Sequence, residues 1–178
     1  MLDEITRAVL SRDEIAKYLE DAHGESGREA RERIQEYLEE LRTTQRYSMY
    51  RALKHPVYLL LRNVERIGEN IESPKAATRN GRVVYVSNHR SHCDYLVEPL
   101  VLDDNGVRPP VIAAGINLFG GPLGLLNRHV TGAMPIRRNS RDPVYLMTLK
   151  AYVAELLRKQ DLFFFPEGGR SSHRRRVC

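Results

Sequence analysis

Apolar residues recur at helical spacing through the first third of the chain and then give way to short, unbroken apolar runs bounded by turn formers. Between Asp3 and Asp21, the residues Ile5, Val9, Ile15, Tyr18 and Leu19 stand among charges. After a break at Gly24–Gly27, Ile34, Tyr37, Leu38 and Leu41 repeat the pattern. Pro56 suits the first turn of a further helix, whose Val57, Leu60, Leu61, Val64 and Ile67 share a face. Residues 3–70 therefore read as helical. Packing inside the protein is the simpler use of these faces, and a membrane-surface or partner-binding face is the other. Ser73–Gly81 reads as a polar linker into a strand at Val83–Val86. Leu162–Phe165 reads as a second buried strand, and Gly132–Arg138 as an edge strand with a basic end. The predicted class is α/β, with a mixed or mostly parallel sheet flanked by helices. A helical region over 1–72 precedes an α/β domain over 73–178.

Composition narrows the setting. The chain has 178 residues, enough for one real core. Lys and Arg outnumber Asp and Glu by 28 to 23, a net charge of +5 that suits anionic partners. The basic residues are dispersed and no nucleic-acid-binding motif is present, so nucleic acid is not an expected partner. Cys93 and Cys178 make no disulfide framework. The opening Met-Leu-Asp-Glu lacks the layout of a signal peptide, and no run reaches the ~18 apolar residues of a membrane span. The expectation is a cytoplasmic protein, soluble or peripheral at a membrane surface.

The candidate chemistry begins where the first strand ends, at Ser87-Asn88-His89-Arg90-Ser91-His92-Cys93-Asp94. Neutral imidazole with a pKa near ~6.5 can take a proton from a hydroxyl, and a carboxylate on its other nitrogen fixes the tautomer. On one helix His89 and Asp94 would point about 140° apart, so they meet more easily if a helix begins between them. Ser91 is a plausible N-cap, and Ser91-x-x-Asp94 resembles a capping box. The bland alternative is an Asp94 that only caps the helix and a His89 that is a polar loop residue. His92 is a second candidate base without a matching carboxylate. After the Leu162–Phe165 run comes Pro166-Glu167-Gly168-Gly169-Arg170-Ser171, where two glycines allow close backbone approach and Arg170 offers a planar fork for phosphate. Each segment alone is weak.

Together the three segments resemble the glycerol-phosphate acyltransferase family within the wider glycerolipid acyltransferases. The first family block, a His, four residues and an Asp, matches His89 and Asp94. The second matches Gly132–Arg138, with Gly115-Ile116-Asn117-Leu118 upstream also similar. The third matches Phe165–Ser171. The resemblance implies transfer of a fatty acyl group from an acyl-CoA or acyl-carrier-protein thioester to a hydroxyl of glycerol 3-phosphate. This would be the first step of phospholipid synthesis. By position, His89 would be the general base and Asp94 its support. Arg138, with Arg137 beside it, would hold the acceptor phosphate, Glu167 and Gly168 would shape the acceptor site, and Arg170 would add a phosphate contact. The acyl donor is a co-substrate; no cofactor or metal is implied. Cys93 is then a small neighbour and not a nucleophile. Lipidic substrates add the expectation of peripheral contact with an anionic membrane at its inner face.

Two alternatives accompany the resemblance. A lysophosphatidate or dihydroxyacetone-phosphate acceptor would suit the same residues, although Gly-Gly-Arg-Ser is closer to the glycerol-phosphate branch. The chain also ends soon after the third block, in Ser-His-Arg-Arg-Arg-Val-Cys, which does not resemble the family's continuation. The α/β domain is therefore expected to be incomplete at its C-terminal end, and a non-catalytic fragment acting as a basic interaction module is the second functional class. No residue is assignable to coenzyme binding, because no nucleotide motif is present.

Overall fold

The computed structural model describes residues 3–22, 24–42, 59, 68–88, 94–120 and 133–166. Three helices open the chain: α1 (Glu4–Leu10), α2 (Asp13–Asp21) and α3 (Gly24–Leu41). The single apolar pattern over Asp3–Asp21 thus folds as two helices. Asp3 caps the first by accepting from the Thr6 amide at 2.8 Å, and the turn at Ser11-Arg12 ends it. The expected break at Gly24–Gly27 is instead the start of α3. Gly27 stays helical because its missing side chain makes room: a Cβ there would lie 2.4 Å from the Ala22 carbonyl oxygen closing α2.

A second correction concerns Ser73–Gly81, which is the helix α4 (Glu72–Asn80) and not a linker. Its polarity hid it. Pro74 falls in the first turn, where a proline is tolerated, Ala76 and Ala77 favour helix, and Glu72 accepts from Lys75 at 2.8 Å. The strands and remaining helices then alternate: β1 (Val84–Val86), α5 (Asp94–Asp104), β2 (Val111–Gly115), a 3-10 turn at Ile116–Phe119, β3 (Met134–Ile136), α6 (Pro143–Leu157) and β4 (Leu162–Phe164). The helix expected after Pro56 lies outside the described residues, apart from Leu59, which is helical and exposed.

The four strands form one sheet in the order β1-β4-β2-β3, and every neighbouring pair is parallel. Val84 faces Leu162, Val111 faces Leu162 from the other side, and Ala113 faces Met134. The central strands are continuous apolar runs, as strands covered on both faces must be. Among the described residues β1 and β3 are the edges: β1 leaves Val84 and Val86 exposed, and β3 accommodates Pro135.

Strand alternation divides the core in two. Val111, Met134 and Leu162 face the larger cluster, built with Val9, Ile15, Ile34, Tyr37, Leu38 and Leu41 of α1–α3 and with Val144, Tyr145, Ala151, Tyr152 and Leu156 of α6. Ile112, Ala133 and Phe163 face a smaller one, edged by Tyr85, Ala114, Phe119 and Phe165. The apolar faces of α1–α3 are therefore used in packing. Ile34 is fully buried, so Ile34→Val should cost about 0.5–1.5 kcal/mol in urea unfolding. No loss at all would mean that α3 is not part of this core. Among the described residues, no helix is long and apolar enough to cross a membrane.

Candidate active site

A parallel sheet points all its carboxyl ends to one edge, and that edge is where open α/β sheets bind ligands. Here the edge carries, in spatial order, the ends of β1, β4, β2 and β3. The first candidate segment leaves β1, the third leaves β4 beside it, and the second closes β3 beyond β2. His89, Glu167, Gly168 and Arg170 themselves lie outside the described residues, as do His92, Cys93 and the proposed cap Ser91. Asp94, Arg137 and Arg138 are described.

Asp94 is the first residue of α5. One turn later, Glu98 accepts from the Ser87 hydroxyl at 2.8 Å. Ser87 also prolongs the β1–β4 pairing by donating its amide to the Phe164 carbonyl at 3.3 Å. Residues four apart share a helix face, so the Glu98 contact turns the Asp94 side of α5 towards the end of β1. The chain reaches His89 two residues after Ser87.

The two arginines at the end of β3 have different surroundings. Arg137 gives Glu40 of α3 a two-pronged hydrogen bond, its Nε at 2.8 and 3.1 Å from the two carboxylate oxygens and one terminal nitrogen also bound. Its guanidinium lies 4.9 Å from the Tyr37 ring centre and 5.4 Å from that of Tyr145. The Glu40 hydrogen bond raises the Arg137 pKa above its ordinary value, with burial opposing. Its backbone amide donates to the Tyr145 hydroxyl at 2.9 Å. The Arg138 side chain instead lies across the end of β2: a Cβ on Gly115 would sit 2.5 Å from its Nε. Only glycine leaves that space. Asn139 follows at φ 59°, a left-handed conformation that asparagine tolerates, and turns the chain towards α6.

Asp142 caps α6 by accepting from the Val144 and Tyr145 amides at 2.9 and 3.4 Å. The Tyr37 hydroxyl and Arg33 reach the same carboxylate from α3. The Tyr37 hydroxyl, above all, holds the Asp142 carboxyl below its usual pKa; burial opposes, and the two amides and Arg33 add to the lowering. A lowered folded value means stability that is present above the ordinary value of 3.8 and lost as pH falls further, through the folded value. Asp142→Asn keeps a capping side chain but does not titrate. Its urea midpoint should therefore fall less than the wild-type midpoint between neutral pH and pH values below 3.8. Equal falls would remove Asp142 from the acid response.

Glu40, Tyr37, Tyr145 and Glu98 were not singled out by sequence as site residues, and Gly115 stood out only within the stretch Gly115–Leu118 that resembles the family. Tyr37 stood out only as part of an apolar stripe, and Glu40, three residues on, had no visible partner 97 positions away. Among the described residues, no group of three metal-ligating side chains occurs.

Comparison with known proteins adds the family. The acyltransferase family model matches residues 64–178. A glycerol-3-phosphate acyltransferase of Histophilus somni is 42% identical over 113 residues, 62% of this chain and 13% of that protein. The Aeromonas hydrophila protein of the same name is 44% identical over 97 residues, covering 53% and 12%. The Shewanella loihica one is 35% identical over 173 residues, covering 92% of this chain and 21% of its own length. The chain thus spans between about an eighth and a fifth of the length of these relatives.

Proposed function

The chain belongs to the acyltransferase family, and we propose that it carries the acceptor site of a glycerol-3-phosphate acyltransferase. The reaction moves a fatty acyl group from an acyl-CoA or acyl-carrier-protein thioester to a hydroxyl of glycerol 3-phosphate, opening phospholipid synthesis. The observation that supports this reading is the shared carboxyl edge of the parallel sheet, where β1 and β4 end just before the first and third segments in sequence and β3 ends within the second. The relatives' names supply the acceptor.

In this reading His89 takes the proton of the acceptor hydroxyl as its oxygen attacks the thioester carbonyl. Asp94 holds the imidazole in the tautomer that can accept and stabilises the imidazolium. The tetrahedral intermediate collapses by breaking the C–S bond, and the leaving thiolate recovers the proton from His89. The acceptor's own hydroxyl is the nucleophile, so no acyl-enzyme forms. Arg138 binds the phosphate dianion, for which a planar fork is suited. Glu167 and Gly168 shape the acceptor pocket and Arg170 adds a second cation. The donor arrives as a co-substrate, from the cytoplasm or from the inner membrane face.

Acceptor choice tests the reading. With a long-chain acyl-CoA, and with acyl-carrier protein in parallel, the chain should acylate glycerol 3-phosphate and leave unphosphorylated glycerol untouched. Preference for lysophosphatidate or dihydroxyacetone phosphate would reassign the acceptor. A folded chain inactive with every pairing would point to an interaction module.

A further inference from the structure

Helix α3 meets the acceptor side of the sheet at the end of β3. Glu40 near the end of α3 and Arg137 at the end of β3 form a two-pronged ion pair with N–O distances of 2.8 and 3.1 Å from Nε, clamped over the rings of Tyr37 and Tyr145. The two rings meet edge to face at 5.3 Å. Tyr37 and Arg33 extend the contact to Asp142, which caps the helix that follows. The segment from Arg137 to Asp142 is therefore tied to α3 at both ends. Arg138 lies between those ties, beside the left-handed Asn139 and across Gly115.

We propose that Glu40, with Tyr37, is a positioning latch: it fixes Arg137 so that Arg138 is held over the end of β2 for the acceptor phosphate. The proposal rests on the acceptor-site reading above. It makes α3 part of the acceptor site and gives the neighbouring arginines separate tasks, Arg137 as anchor and Arg138 as phosphate contact. Energetics separate this from simple stabilisation. The Arg137 side chain is 41% exposed, and ion pairs at such positions contribute little to folding. A geometric role can nevertheless be large, because displacing a binding group by about 1 Å can cost up to about 10²-fold. An arginine held by a two-pronged carboxylate and two rings also keeps fewer conformations than one held by a single contact.

The test is calorimetric titration of glycerol 3-phosphate into the whole chain and into Glu40→Gln, Glu40→Asp and Ile34→Val, with an unfolding midpoint for each. Glu40→Gln should weaken binding about tenfold and barely move the midpoint. Glu40→Asp keeps the charge and should bind closer to wild type than Glu40→Gln does. Ile34→Val lowers stability within α3 without touching the pair, and should bind like wild type. Wild-type binding that Glu40→Gln leaves unchanged overturns the latch, and so does equal weakening by Ile34→Val, which would trace the effect to stability. No binding by the folded wild-type chain would overturn the acceptor-site reading itself, and the latch with it.

Discussion

His89→Ala should lower acyl transfer by about 10²–10⁴-fold, the usual contribution of a positioned general base, and leave the unfolding midpoint near that of wild type. The expectation comes from where the chain places the residue. In sequence His89 comes three positions after β1, a strand that ends at the carboxyl edge of the parallel sheet. The strand end is fixed to β4 by the Ser87 amide and to α5 by the Ser87–Glu98 hydrogen bond. Asp94 begins that helix on the face that Glu98 turns inward. A histidine two residues beyond the anchored Ser87 in sequence, with a carboxylate where the next helix starts, supplies the groups of a base and its orienter. Asp94→Asn should lower the rate in the same direction, because an amide does not stabilise the imidazolium as a carboxylate does. The measurement is the initial rate at saturating acyl donor and acceptor, with urea unfolding alongside. An Ala variant that keeps near-wild-type rates would remove His89 from the chemistry, and one that unfolds would make its role structural.

Replacing Arg138 should give the second large effect, and on a different parameter. Arg138→Gln should raise the KM for glycerol 3-phosphate by about 10- to 100-fold, the range for losing hydrogen bonds to a charged partner, with a smaller change in kcat. Arg138→Lys keeps the charge but loses the planar fork, and should fall between. The same end point is reachable without touching the arginine. Gly115→Ala would put a methyl carbon 2.5 Å from the Arg138 Nε, and the atom that must yield belongs to an exposed, flexible side chain. The fold should tolerate this change, and the acceptor KM should rise. A Gly115→Ala protein with unchanged acceptor KM would mean that Arg138 does not work from its position over β2.

Which parts of this were legible in the sequence follows from what each part depends on. The α/β class was legible because β2 and β4 are apolar without alternation, as strands of a parallel sheet with both faces covered must be. The stripes of α1–α3 were legible because burial selects a 3.6-residue period. Helix α4 was not, since no residue of it is buried; an early proline, alanines and the Glu72–Lys75 pair support it locally, and Arg108 donates to the Thr78 carbonyl from thirty residues away. The helical run through Gly24–Gly27 was missed because a glycine pair reads as a break, when Gly27 instead lets α2 approach α3. The candidate segments were legible as blocks, but their spatial order was not. β4 enters between β1 and β2, a crossover fixed by long-range packing rather than by any local signal. The Glu40–Arg137 pair shares this character. Nothing near Glu40 in the chain announces a partner at the end of β3.

The most direct measurement is a crystal structure of the chain with glycerol 3-phosphate bound. The ligand should lie at the carboxyl edge of the sheet, its phosphate within about 3 Å of the Arg138 guanidinium and one hydroxyl at hydrogen-bond distance from His89. A ligand bound away from that edge, or there with its phosphate remote from Arg138, would contradict the acceptor-site reading.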